Sequence, residues 1–167
     1  QRARAPLGLV QLPGGPGMKK CPGVDASTGS LGQGLSIAVG MALGAKATGN
    51  PCHVYALCGD GELQEGLIWE ASMAAAHYGL DNLVAIVDRN GLQITGATES
   101  LMGLEPLADR LRAFGWEVRE VDGHHHSALL AAFEQLPLAA GHPSCIIAHT
   151  HKGYGVSFMQ DRCEWHH

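Results

Sequence analysis

Short runs of strand-forming residues alternate with longer segments rich in small and apolar residues along most of the chain. The runs occupy residues 53–58, 83–87, 116–121 and 145–149. Short, largely apolar runs of this kind are typical of the buried strands of a parallel sheet. The intervening segments have helical length and several end at glycine or proline, which predicts four helices. These cover the residues after Gly34 up to about Thr48, then 66–78, 104–114 and 127–136.

Strands that alternate with helices predict an α/β fold with right-handed crossovers and a mainly parallel central sheet. Residues 1–25 are rich in proline and glycine, so we expect an extended arm there and a single domain over residues 26–167. Ligands bind beyond the carboxyl ends of the strands in open sheets of this kind. The function should therefore depend on three loops that follow strands, namely 59–65, 88–96 and 149–155.

Composition narrows the partners without naming a function. The 167 residues carry a formal net charge of −5, which argues against nucleic acid and anionic membranes as main partners. Five cysteines form no C-x-x-C pair, so free thiols in a reducing cytoplasm are expected. No apolar run approaches the roughly 20 residues that a membrane-spanning helix needs.

An acidic residue between two glycines opens the first of these loops, at Gly59-Asp60-Gly61. The glycines let main-chain N–H groups approach an anion, but the carboxylate would repel a bare phosphate. A hard cation between acid and phosphate resolves this conflict, and the amide of Asn90, after the next strand, offers a second oxygen ligand. The main-chain carbonyl of Leu92 would add a third. Simpler alternatives are a helix cap for Asp60 and a tight turn at Asn90.

Two of these segments together resemble a known family. Residues 59–66 (GDGELQEG) and 88–92 (DRNGL) look like the thiamine diphosphate signature of transketolases, and residues 27–34, 69–76, 104–108, 121–124 and 155–159 resemble it further. The likeness covers nearly all of the chain beyond about Lys19 and is closest to the short, two-subunit type. It implies a three-layer thiamine diphosphate-binding fold, with helices on both sides of the sheet. It also implies transfer of a two-carbon ketol unit between sugar phosphates, with thiamine diphosphate and Mg²⁺ or Ca²⁺ as cofactors.

The resemblance assigns roles to individual positions. Asp60, Asn90 and the carbonyl of Leu92 would hold the metal. Glu65 would lie at the subunit boundary and couple to an activating glutamate of the partner, although a first-turn helix acid is the simpler alternative. His166 would reach the diphosphate and the substrate, whereas His167 is either native or the start of a tag. The cofactor would be contacted by Gly29, Ser30, Leu31, Gly59, Asp60, Gly61, Glu62, Asn90 and His166.

The chain departs from the family pattern near its start. The family has a Gly-His-Pro triplet that places a histidine in the active site, and the aligned Gly14-Gly15-Pro16 has none. Loss of such an imidazole typically costs 10²–10⁴-fold in rate. His124, His125 and His126 are consecutive, so their side chains diverge, and we expect surface or supporting histidines rather than a metal site.

Three functions remain open from the sequence. The first is the diphosphate-binding subunit of a transketolase, which needs a pyrimidine-binding partner subunit or domain in a dimeric or α2β2 assembly and has no turnover alone. The second is another thiamine diphosphate enzyme, of the deoxyxylulose-phosphate synthase or 2-oxoacid dehydrogenase α type. The third is a non-catalytic, incomplete domain, which the glycine at position 15 favours.

Overall fold

Six parallel strands form the central sheet of the molecule. A computed structural model describes residues 7–11 and 23–166. The six strands are β1 Leu7–Gln11, β2 Val24–Ser27, β3 His53–Gly59, β4 Leu83–Arg89, β7 Glu117–Asp122 and β8 Ser144–His149. Their order in the sheet is β2-β1-β3-β4-β8-β7, and every neighbouring pair is parallel.

Five helices, two short 3-10 turns and one small hairpin complete the described elements. The hairpin pairs β5 (Leu92–Gln93) with β6 (Gly96–Ala97) in antiparallel fashion. A 3-10 turn, Gly61–Gln64, separates β3 from the second helix, and another spans Cys163–Trp165. The helices are α1 Gln33–Ala47, α2 Gly66–His77, α3 Thr98–Leu101, α4 Leu107–Ala113 and α5 His126–Glu134.

Helices cover both faces of the sheet, which gives the three-layer α/β arrangement. On one face α1, α2 and α4 bury small and branched side chains against β3 and β4; Leu35, Ala38, Ile68, Ala71 and Leu107 belong to this core. On the other face α5 packs Ala132 against Val84 and Ile146. The small residues on α1 and α2 let these helices approach the sheet closely. Among the described residues, no helix is long and apolar enough to cross a membrane.

The four strands and four helices expected from the sequence are all present. Their ends differ from expectation by a few residues, most of all in α4, which begins at Leu107 rather than at Leu104. Proline disfavours helical conformation in the residue before it, so Pro106 delays the start of the helix.

The start of the chain differs from the expected extended arm. Residues 7–11 form β1, which lies between β2 and β3 as an internal strand of the sheet. The expectation of an arm outside the domain is therefore wrong for these five residues, because the hydrogen bonds they need come from strands distant in sequence. The boundary between residues 25 and 26 stays a prediction, and residues 12–22, which include Gly14-Gly15-Pro16, lie outside the described residues.

Candidate functional site

The candidate site lies where β3, β4 and β8 end at one edge of the sheet. Gly59 and Asp88 are partners in the parallel ladder, so Asp60 emerges beside the last residues of β4. The main-chain N–H of Asp60 donates to Asp88 O at 3.2 Å, and that of Thr150 donates to Arg89 O at 3.1 Å. The three loops expected to carry function therefore start from one place.

Asp60 is the most enclosed acid of this edge, at 1% exposed. Its Oδ1 accepts from the N–H of Gly61 at 2.7 Å. Its Oδ2 accepts from Arg89 Nη1 at 2.9 Å and from the N–H of Gly91 at 2.6 Å. Asp60 does cap a short element, the 3-10 turn, but α2 itself begins later, at Gly66. Its contact with Gly91 brings together the two segments that the sequence singled out.

Arg89 is a central residue of the site that the sequence analysis did not identify. Its side chain is 8% exposed. Nη1 donates to Asp60 and to Thr98 Oγ1 at 2.8 Å, while Nη2 donates to Glu99 at 2.7 Å and to Glu105 at 2.9 Å. Burial acts to lower the pKa of Arg89, but the bonds to Glu105, Asp60 and Glu99 outweigh it and raise that pKa. The guanidinium thus stays charged and is held by four partners.

Glu62 joins the first candidate loop to the glycine-rich loop before α1. It is 3% exposed. Its Oε1 accepts from the N–H of Gly32 at 2.8 Å, and its Oε2 from the N–H of Gly59 at 3.3 Å. Burial raises the pKa of Glu62 to about 7, the two main-chain hydrogen bonds oppose this, and the nearby Glu65 adds to it. The contact of Glu62 with the cofactor stays a prediction, because in this structure its carboxylate binds two main-chain amides.

The glycine-rich loop requires its glycine at position 32. The φ of Gly32 is 83°, a left-handed conformation, and a Cβ there would lie 2.8 Å from the Cβ of Glu65. Only glycine fits without strain. The loop is consequently fixed against residues 59–65, and Gly29, Ser30 and Leu31, assigned to the cofactor by resemblance, lie exposed just before this contact.

Asn90 and Leu92 form a turn after β4. The Asn90 Oδ1 accepts from the N–H of Leu92 at 3.0 Å, and Gly91 has a φ of 75°. The tight turn considered from the sequence is therefore present. An amide oxygen has two acceptor positions, and the hydrogen bond of this turn uses one. The Asn90 oxygen therefore has a second position for a ligand. The turn leaves the carboxylate of Asp60 and the amide of Asn90 on adjoining loops.

The donor atoms at this edge suit a hard divalent cation. Asp60, Asn90 and Leu92 offer a carboxylate, an amide and a main-chain oxygen, which are the ligand types that Mg²⁺ and Ca²⁺ prefer. Within the described part of the chain, no group of three or more His, Cys, Asp or Glu side chains could hold a metal. A cation held by Asp60, Asn90 and Leu92 would complete its ligand set with water or with the oxygens of a bound ligand such as a diphosphate.

Glu65 and His166, expected to take part in catalysis, lie outside this buried cluster. Glu65 is exposed, occupies the N-cap position of α2 and makes no side-chain capping hydrogen bond. Its carboxylate is thus not used by the helix end. His166 is exposed and follows the 3-10 turn Cys163–Trp165, where its main-chain N–H donates to Cys163 O at 2.9 Å. Their catalytic roles stay predictions, and His167 lies outside the described residues.

His124, in the loop after β7, contacts a histidine and an aromatic ring of the third loop. His124 stacks on Tyr154 with ring centroids 3.8 Å apart. Its Nε2 accepts from the N–H of His151 at 2.7 Å, and the ring of His151 lies 3.2 Å from the carboxylate of Asp161. These contacts hold residues 151–161 against the loop after β7.

Comparison with known proteins decides the family. The profile of the transketolase thiamine diphosphate-binding domain matches residues 9–167. The chain belongs to this family. One of the subunits of an apulose-4-phosphate transketolase from Phocaeicola vulgatus is 49% identical over 146 residues, which cover 87% of this chain and 52% of that protein. The SqwG subunit of a 6-deoxy-6-sulfo-D-fructose transketolase from a Clostridium species is 46% identical over 157 residues, covering 94% and 57%.

Solved transketolases have the same fold. The enzyme from Campylobacter jejuni superposes with a TM-score of 0.79 at 36% identity, over 85% of this chain and 23% of that one. The transketolase from Leishmania mexicana has a TM-score of 0.78 at 34% identity, over 91% of this chain and 24% of that one. This transketolase-family chain thus spans about half the length of the curated relatives it matches. These relatives favour neither the deoxyxylulose-phosphate synthase nor the 2-oxoacid dehydrogenase alternative.

Proposed function

We propose that this chain is the diphosphate- and metal-binding half of a two-subunit transketolase. With thiamine diphosphate and Mg²⁺, and with a pyrimidine-binding partner subunit in a dimeric or α2β2 assembly, it would transfer a two-carbon ketol unit between sugar phosphates. The observation that carries the proposal is the enclosed carboxylate of Asp60, which meets the Asn90 turn at the ends of β3 and β4. Two relatives are each named as one of the subunits of an apulose-4-phosphate transketolase, which supports the need for a partner.

The residues of this chain would act mainly by position and charge. Asp60, Asn90 and Leu92 would hold Mg²⁺, which in turn would hold the diphosphate against the edge of the sheet. The loop that ends at Gly32 would face the rest of the cofactor and is kept there by Glu62. The cofactor, once bound, supplies the carbon–carbon bond chemistry, and the protein supplies orientation and electrostatics.

Glu65 would serve the partner subunit. Its carboxylate is exposed and does not cap α2, so it is available to a carboxyl group across an interface. Two carboxyl groups that approach closely share a proton, which fixes the protonation state of the partner glutamate. This accounts for an acid at a position where the helix does not use it.

Calorimetry tests the cofactor part of the proposal. Thiamine diphosphate titrated into the full chain with Mg²⁺ should give saturable heat that disappears when a chelator replaces the metal. Absence of any metal-dependent heat would favour the non-catalytic alternative instead.

An activity assay with xylulose and ribose phosphates tests the need for a partner subunit. The chain alone should give no turnover, and the chain with its pyrimidine-binding subunit should give ketol transfer.

Substitution of Glu65 separates the two parts. Glu65→Gln should lower turnover of the assembled enzyme by roughly 10²-fold or more, as loss of an acid–base group does, while the metal-dependent heat of the chain stays unchanged. Glu70→Gln, also exposed and on α2, is the matched control and should leave both readouts unaltered. Equal turnover of the two variants would refute the role of Glu65.

A further inference from the structure

The two oxygens of the Asp60 carboxylate are not equivalent. Oδ2 accepts two hydrogen bonds, from Arg89 Nη1 and from the N–H of Gly91, whereas Oδ1 accepts one, from the N–H of Gly61. A carboxylate oxygen has about two acceptor positions. Oδ2 is therefore fully used by the protein, and Oδ1 keeps one position for a ligand.

Arg89 is held so that it cannot release Oδ2 easily. Its guanidinium is planar and places its donors in a fixed fork. The same nitrogen that binds Asp60 also binds Thr98, and the other nitrogen binds Glu99 and Glu105. Rotation of the fork away from Asp60 would break several charge-assisted hydrogen bonds, of which those to Asp60 and Thr98 are buried. The carboxylate is thus fixed with Oδ1 as the available atom.

The single available position on Oδ1 affects Mg²⁺ and Ca²⁺ differently, because the two ions bind carboxylates in different ways. Mg²⁺ requires a near-ideal octahedron of six oxygens and accepts a carboxylate through one oxygen. Ca²⁺ takes six to eight oxygens and commonly binds a carboxylate through both. Both ions carry the same charge, so repulsion from the Arg89 guanidinium weakens both and leaves geometry to decide the ratio.

We propose that Arg89 is a positioning residue that confines Asp60 to one coordinating oxygen and so favours Mg²⁺ over Ca²⁺. The inference rests on the metal site of the proposed function. Without Arg89, Oδ2 keeps only its bond from Gly91, and both oxygens of Asp60 then have a free position. Ca²⁺ gains a ligand that Mg²⁺ does not need.

The test is the ratio of the Ca²⁺ to the Mg²⁺ dissociation constant, measured by calorimetry on the full chain with saturating thiamine diphosphate. Arg89→Met should shift this ratio toward Ca²⁺ by about tenfold, the lower end of effects seen when a residue behind a metal ligand is changed. Arg89→Lys keeps the charge but loses the fork, and should shift it less, in the same direction. Arg112→Met removes an arginine paired with Asp109 on the surface of α4 and should shift nothing.

Each outcome decides between the two proposals. A wild-type chain that binds neither ion with thiamine diphosphate overturns the proposed function and this inference with it. A wild-type chain that binds both, with ratios in the Arg89 variants within twofold of the control, leaves the metal site standing and overturns the role of Arg89. Should Arg89→Met fail to fold, Arg89→Lys alone decides in the same way.

Discussion

The two edges of the central sheet each carry a charged pair, but in opposite surroundings. At the carboxyl ends of the strands, Asp60 and Arg89 are 1% and 8% exposed, and each has several further partners. At the amino ends, Lys46 and Asp81 join the end of α1 to the start of β4 and are 41% and 30% exposed. A buried ion pair gains little net stability over apolar packing, because both charges lose their water.

The difference shows which edge is organised for a ligand. A surface pair such as Lys46–Asp81 tolerates loss of either partner, since water replaces it. The buried pair costs more to maintain than an apolar contact would, and its arrangement leaves one acceptor position on Oδ1 of Asp60 unused. The charged pair is therefore buried at the carboxyl ends of the strands, where α/β sheets bind ligands. At the amino ends the charged pair lies at the surface.

The largest expected effect follows from removing the buried charge. Asp60→Asn leaves Arg89 with the remaining acids Glu99 and Glu105 but without its most enclosed partner. Removal of one partner of a buried ion pair lowers the free energy of unfolding by about 3–5 kcal/mol. Because Arg89 keeps two acidic partners, we expect a loss of about 3 kcal/mol here. Urea unfolding of the metal-free chain measures it. Asp81→Asn is the matched control, and equal losses in the two variants would remove the distinction between the edges.

The two edges should also respond oppositely to pH. Burial raises the pKa of Glu62 to about 7, so the folded chain binds its proton more tightly than the unfolded chain does. Stability from this group is complete below its ordinary pKa and is lost as pH rises toward 7 and above. Hydrogen bonds from Lys46 and the Gly141 N–H lower the pKa of Asp81, so its stabilisation is present at neutral pH and is lost in acid.

Glu62→Gln tests this sign. Glutamine does not titrate, so the unfolding free energy of the variant should lack the decline of the wild type between pH 5 and pH 7.5, which amounts to at most about 2 kcal/mol. At pH 5 the two proteins should be similar, apart from the loss of the bond from the N–H of Gly59, which the NH2 group of glutamine cannot accept. Parallel stability curves for variant and wild type over this range would contradict the raised pKa.

Much of the fold was predictable because its signals are local. The runs at β3, β4, β7 and β8 are strand-forming over five or more residues, and the helices between them end near glycine or proline. The segment of β1 is short and follows a charged, proline-containing start, so nothing local marks it as an internal strand. The position of β1 in the sheet depends on its pairing with β3, in which Leu7 lies opposite His53, more than forty residues later in the chain.

The site was predictable in its residue types but not in its contacts. Strand ends placed Asp60 and Asn90 together, since parallel neighbours end at the same edge. The sequence does not indicate which partners the Arg89 side chain binds, nor which main-chain amides bind Glu62. Both sets of partners come from other loops, as Gly32 does for Glu62. An arginine at the end of a buried strand was the available signal, and an exposed arginine there is equally consistent with the pattern.

The smallest expected effect comes from the exposed pair and completes the contrast. Lys46→Met removes the bonds from Nζ to Asp81 Oδ1 at 2.8 Å and to Gly79 O at 2.5 Å. Water can solvate both acceptors, so the loss should be no more than about 1 kcal/mol and should shrink further in 1 M salt, which screens surface charges. Urea unfolding at low and high salt measures it. The contrary result would be a loss of unfolding free energy in Lys46→Met that is as large as in Asp60→Asn and does not depend on salt. It would mean that the Lys46–Asp81 pair is as enclosed in solution as the Asp60–Arg89 pair, so that burial would not distinguish the two edges of the sheet.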